Sequence, residues 1–103
     1  MNKKTMQQLF KVSATVPHTM ELIERPELFG WQKIFDFENG YGASVVSHDS
    51  SYGLELALMD DTGHLAQHPD ITDDVAGFLN VDTANDLLQK ISELPSLKNC
   101  SCV

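Results

Sequence analysis

Asn39-Gly40 stands between two runs rich in β-forming residues, Trp31–Glu38 and Tyr41–His48. Asn-Gly so flanked is the strongest short-range hairpin signal, because both residues tolerate the positive φ that a type I′ turn demands. The middle of the chain is thereby committed to antiparallel pairing, and every other segment must pack around it. A two-residue turn sets Glu38 opposite Tyr41, Phe37 opposite Gly42, Phe35 opposite Ser44 and Ile34 opposite Val45. Phe35 and Phe37 then share a face with Gly42 and Ser44, small residues that leave room for aromatic rings, and that face is assigned to the core.

The strand pattern continues past the hairpin. Tyr52–Asp60 alternates Leu54, Leu56 and Leu58 with Glu55, Ala57 and Met59, the period of a half-buried strand. Asp60-Asp61-Thr62-Gly63 reads as a turn, so His64–His68 is expected to return as a short fourth strand. Beyond it the apolar period changes from 2 to 3.6. Ile71–Leu79 is expected to form one or two helical turns. Asn80 suits a helix N-cap, Asp82 falls in the first turn, and Ala84, Leu87, Leu88, Ile91 and Leu94 make a stripe that Pro95 ends. In the N-terminal third, Met6, Leu9 and Phe10 form a short helical stripe, and Thr19–Glu24 reads as a further turn or two stopping at Arg25 before Pro26.

These segments predict a single α+β domain. Residues 1–30 are helical or irregular and cover a sheet edge or part of its other face. Residues 31–68 form a four-stranded antiparallel meander, residues 71–94 are helical with the segment at 81–94 packed on one face, and residues 95–103 are a tail. Leu, Ile, Val and Phe make up 28 of the 103 residues, enough for a packed core. No apolar run approaches the roughly 18 residues of a membrane span, and the start of the chain lacks a secretory pattern. The expected setting is the cytoplasm of a host cell.

Charge is distributed unevenly. Fifteen acidic residues face seven basic ones, for a net charge of −8. Between Ile34 and Gln89 there is no Lys or Arg, while eleven carboxylates occur. Such a field disfavours free nucleic acid and anionic membrane, which need clustered cations, and favours the basic surface of a host or phage protein. Asp73, Asp74, Asp82 and Asp86 are the candidate partner-binding carboxylates, with Asp82 and Asp86 four apart on a helix face away from the apolar stripe. Carboxylates near helix N-termini are also favoured by the dipole alone. Self-association is left open.

Chemistry finds little purchase. Asp60, Asp61, His64 and His68 invite a metal reading, but on a strand the two histidines stand about 13 Å apart, too far for one ion. Ser47, Ser50 and Ser51 flank His48 and Asp49, yet neighbouring loop residues do not converge as a triad does. No phosphate or dinucleotide fingerprint occurs. Cys100 and Cys102 lie one residue apart at the end, where the tail Cys100-Ser101-Cys102-Val103 only loosely follows a prenylation signal. No catalytic residue, metal or cofactor is expected.

Phe37-Glu38-Asn39-Gly40-Tyr41-Gly42-Ala43-Ser44-Val45-Val46, Tyr52-Gly53-Leu54-Glu55-Leu56-Ala57 and Ile71-Thr72-Asp73-Asp74-Val75-Ala76-Gly77-Phe78-Leu79 resemble small uncharacterised proteins encoded by bacteriophages and prophages. In those an F-x-N-G-Y-G hairpin precedes an I-T-D-D-V-x-G-[FY]-L segment and a leucine-rich helix. The resemblance spans roughly residues 31–94 and brings no active site. It implies a phage or prophage setting, in which the expected function is that of an accessory protein that binds a host or phage protein, modulation of a host function being one such role. The alternative is a small enzyme or ligand-binding domain with a pocket between sheet and helix, and a filled core with a one-signed outer face would favour the first.

Overall fold

A computed structural model describes residues 3–28, 30–47, 53–71 and 75–97. The order of elements is α1 (Lys3–Lys11), β1 (His18–Arg25), a 3-10 turn at Pro26–Leu28, β2 (Gly30–Phe37), β3 (Gly42–Ser47), β4 (Leu54–Met59), β5 (Val75–Leu79) and α2 (Val81–Ser92). All strands pair antiparallel with their sequence neighbours, giving one five-stranded sheet in the order β1-β2-β3-β4-β5. The architecture is α+β, with five strands where the sequence pattern suggested four.

Two segments expected to be helical are strands. Thr19–Glu24 lies inside β1, which pairs with β2 along all eight residues from His18↔Phe37 to Arg25↔Gly30. Met, Glu and Leu favour helix on their own, but a waiting sheet edge outweighs such weak preferences. Most of Ile71–Leu79 also departs from expectation, since Val75–Leu79 is β5, paired with β4 through Leu54↔Leu79 and Ala57↔Val75 with a register shift between. Gly77 inside this segment lowers the helical alternative. The fourth strand expected at His64–His68 is not formed as a strand; the segment holds isolated bridge positions at Leu65, paired with Met59, and at His68.

The hairpin forms one residue wider than a type I′ turn. Phe37 N–H donates to Tyr41 O at 2.9 Å and Gly40 N–H to Phe37 O at 3.1 Å, while Gly40 takes a positive φ, +92°. This is the three-residue loop built on a tight turn and a left-handed glycine. Phe35 therefore faces Ala43 and Ile34 faces Ser44. A one-residue slip exchanges the faces of a partner strand, so Ala43 and Val45, not Gly42 and Ser44, join Phe35 and Phe37 in the core. Gly42 has its own reason: a Cβ there would sit 2.5 Å from Phe35 O.

Both helices pack on that one face, α1 over β2–β4 and α2 over β3–β5. The N-terminal helix thus joins α2 instead of covering the other side. Between helices and sheet lie Leu9, Val12, Phe35, Val45, Leu54, Leu56, Leu58, Ala84, Leu88 and Ile91, all essentially inaccessible. Leu87 and Leu94, at the margins of the stripe, are only partly buried. Asn80 caps α2 as expected, its Oδ1 accepting from Thr83 N–H at 2.8 Å and Thr83 Oγ1 at 2.7 Å.

Candidate functional site

Of the four carboxylates proposed for partner binding, Asp73 and Asp74 lie outside the described residues. Asp82 and Asp86 are exposed on α2, with Asp82 in its first turn. Folding brings Lys11 to Asp82: a shallow depression of about 380 Å³ is lined by Gln7, Gln8, Lys11, Asn80, Val81 and Asp82. Lys90 follows Asp86 by one helical turn, the spacing at which opposite charges meet. The two carboxylates share a solvent face, Lys90 stands beside Asp86 on the same helix, and the tertiary fold adds Lys11 beside Asp82.

Other carboxylates assemble at the hairpin end of the molecule. Asn39 Nδ2 donates to Ile91 O at 2.7 Å and Leu94 O at 3.2 Å, clamping the loop to the end of α2. Asp61 approaches the same loop, its Cβ within 3.8 Å of where a side chain on Gly40 would begin. Beside this lies an open groove of about 600 Å³ lined by His68, Asp70, Ile71, Lys90, Glu93, Leu94 and Pro95. Glu38, Asp61, Asp70 and Glu93 are exposed around this end.

Asp60 serves structure here. Its Oδ1 accepts from Thr62 N–H (2.9 Å), Thr62 Oγ1 (2.6 Å) and His64 N–H (3.0 Å). These bonds, the Thr62 hydroxyl foremost, hold its carboxyl below the usual carboxylate range. His64 Nδ1 meets Thr62 Oγ1 at 2.7 Å and His68 Nδ1 accepts from Asp70 N–H at 3.2 Å, so each ring is tied within its own turn. Among the described residues no three His, Cys, Asp or Glu side chains converge as a metal site.

Lys33 was not singled out by the sequence, and it is the most unusual charge in the chain. It lies 6% exposed on the core face of β2, where its Nζ donates to Phe10 O (3.1 Å) and Val12 O (2.8 Å) at the end of α1. A cation there meets carbonyls left without partners at the helix terminus, and burial pushes its pKa down. The available signal was parity: Trp31, Lys33, Phe35 and Phe37 share a face, so a charge at core parity needed a polar partner.

No protein-family model, curated protein or solved structure matches the chain. Fold and surface together define a two-layer α+β domain with an inaccessible hydrophobic cluster between helices and sheet and open clefts on its outside. Among the described residues no helix is long and apolar enough to cross a membrane.

Proposed function

We propose that this chain is a small acidic accessory protein of the phage or prophage type that acts by binding the basic surface of another protein. The observation that carries the reading is the exposure of Glu38, Asp61, Asp70 and Glu93 around one end of the molecule, the first three drawn from a stretch between Ile34 and Gln89 that contains no Lys or Arg. Asp82 and Asp86 add exposed carboxylates along α2, and Asp73 and Asp74 belong to the same reading by sequence alone. Charges so placed accelerate encounter with a basic patch and fix its orientation. The inaccessible hydrophobic cluster between helices and sheet supports binding over the alternative of an internal pocket.

The test replaces Glu38 and Glu93 with Gln and Asp61 and Asp70 with Asn, leaving Asp60 because it holds a turn. Tagged wild type and variant are exposed to bacterial lysate, and any basic protein enriched by the wild type is purified and titrated at increasing salt. The expected result is loss of that protein by the variant and a wild-type association rate that falls with salt. Equal enrichment by both proteins, with equal salt dependence, sinks the reading.

A further inference from the structure

Among the described residues no strand pairs with the outer side of β1, one edge of the sheet. That edge runs for eight residues without bulge or proline, while the opposite edge, β5, has five residues and a register shift. Of the large hydrophobic residues exposed among those described, Phe10, Met20 and Leu22 gather along this flank and only Leu65 lies elsewhere. Phe10 stands edge-on to Trp31 with ring centroids 6.2 Å apart, and Trp31 pairs with Glu24 of β1. An edge of this kind is a template for another strand unless something blocks it.

The direction of its backbone groups follows from the hairpin. Phe37 N–H points toward β3, since it donates to Tyr41 O, so by the alternation of an antiparallel ladder Gly30, Gln32, Ile34 and Asp36 point toward β1. Their partners Arg25, Ile23, Glu21 and Thr19 are used internally. His18, Met20, Leu22 and Glu24 therefore turn their N–H and C=O groups outward.

We infer that a second copy of this chain occupies the edge, β1 against β1, antiparallel and centred on Ile23. A twofold axis normal to the sheet keeps both helix layers on the same side, so residues of like face must meet. Centring on Glu21 sets a carboxylate against its own copy, and centring on Leu22 sets Glu21 against Ile23 and Arg25 against Thr19, with no opposite charges paired across the seam. Centring on Ile23 places Glu21 opposite Arg25 of the second copy, twice, with the two Ile23 side chains between. Those positions are the close, non-hydrogen-bonded pairs of the new ladder, where cross-strand charges interact most strongly. Arg25 is already steadied on that face, its Nε donating to Gln32 Oε1 at 2.7 Å, which leaves the terminal nitrogens for a carboxylate. On the helix side Leu22 lies opposite Glu24 of the second copy and diagonal to its Leu22, so the two Leu22 side chains flank the centre of the seam. The result is a continuous ten-stranded sheet, and it stands or falls separately from the partner-binding reading.

Charge exchange tests both the dimer and its register. Under reducing conditions, sedimentation across the micromolar range is expected to give twice the chain mass for the wild type. Glu21→Arg alone and Arg25→Glu alone set like charges together and weaken self-association by about tenfold or more. Mixed in equal amounts, the two variants regain complementary pairs at both positions and form a heterodimer. Circular dichroism and melting establish that each variant is folded. If Arg25→Glu fails to fold, Ile23→Cys in a Cys100→Ser, Cys102→Ser background replaces it, and is expected to cross-link on oxidation faster than Leu22→Cys. A wild type that stays monomeric overturns the inference. Single variants that still dimerise, a mixture that stays monomeric, or cross-linking no faster at position 23 than at 22 overturn it equally.

Discussion

The two flanks of the sheet are finished differently. At the β4–β5 flank, α2 lies over the strands, Leu54, Leu56 and Leu58 are inaccessible, and the chain supplies its own cover. At the β1 flank, Met20 and Leu22 point to the same side as the helices yet remain 48% and 41% exposed. Both flanks are built by the same device, an antiparallel strand added to its predecessor. What separates them is that α2 has a continuous apolar stripe over one flank, whereas α1 ends at Lys11 and sits over β2–β4. Strand pairing and burial are therefore separable, and a strand can be fully laddered while its side chains stay in water.

Truncation gives the largest contrast. Leu88→Ala and Leu56→Ala each remove a fully buried side chain and are expected to cost about 2–5 kcal/mol in urea unfolding. Leu22→Ala in dilute protein is expected to stay within about 0.5 kcal/mol. Equal losses on both flanks would dissolve the comparison. Next in size is Lys33→Met, which leaves the Phe10 and Val12 carbonyls without their donor and is expected to cost about 1–3 kcal/mol, with helical signal lost before the main transition. Should that variant prove as stable as wild type, α1 is held by its apolar contacts alone.

Asn39→Ala removes two donors from the end of α2 and an acceptor from Tyr41 N–H, for an expected loss of about 1–2 kcal/mol. Asn80→Ala at the other end of α2 is expected to cost about 1 kcal/mol. A larger effect at Asn80 would mean that the hairpin clamp matters less than the cap. The smallest effects are in pH. Lys33 has its pKa lowered in the folded chain, so the native state releases its proton before the unfolded state does. The penalty is complete below the lowered value and is relieved as pH rises toward the ordinary lysine range, so wild type should gain stability relative to Lys33→Met over that alkaline window. Asp60, lowered by its turn, contributes stability above the ordinary carboxylate range that is lost as pH falls through its folded value. Asp60→Asn should flatten that acid limb, and an unchanged limb would remove Asp60 from the account.

What could be read in advance was local. Asn39-Gly40 announced a hairpin, the alternating leucines announced β4, and Asn80 with the following stripe announced α2, because each carries its own signal within a few residues. What could not be read depended on distant company. Met20–Glu24 has no strand signal until β2 offers its edge, and Val75–Leu79 has none until β4 does. The hairpin register turned on whether the loop holds two residues or three, a choice that Asn39-Gly40 by itself leaves open. Of the candidate site, Asp82 and Asp86 were placed on the solvent face of α2 as their spacing required, but Lys11, 71 residues before Asp82 in the chain, appeared beside it only in three dimensions.

The clamp at Asn39 also governs how the protein ages. In an Asn-Gly step the glycine nitrogen attacks the side-chain amide carbon, ammonia leaves, and the succinimide opens to aspartate or isoaspartate. Here the Gly40 N–H is held by Phe37 O and the Asn39 amide by Ile91 O and Leu94 O. Ring closure must wait until the loop lets go of the helix, so the deamidation rate serves as a clock for local opening. Once struck, the clock does not rewind: the new carboxylate has no hydrogen to offer those carbonyls and faces the negative end of the α2 dipole, and the latch stays open.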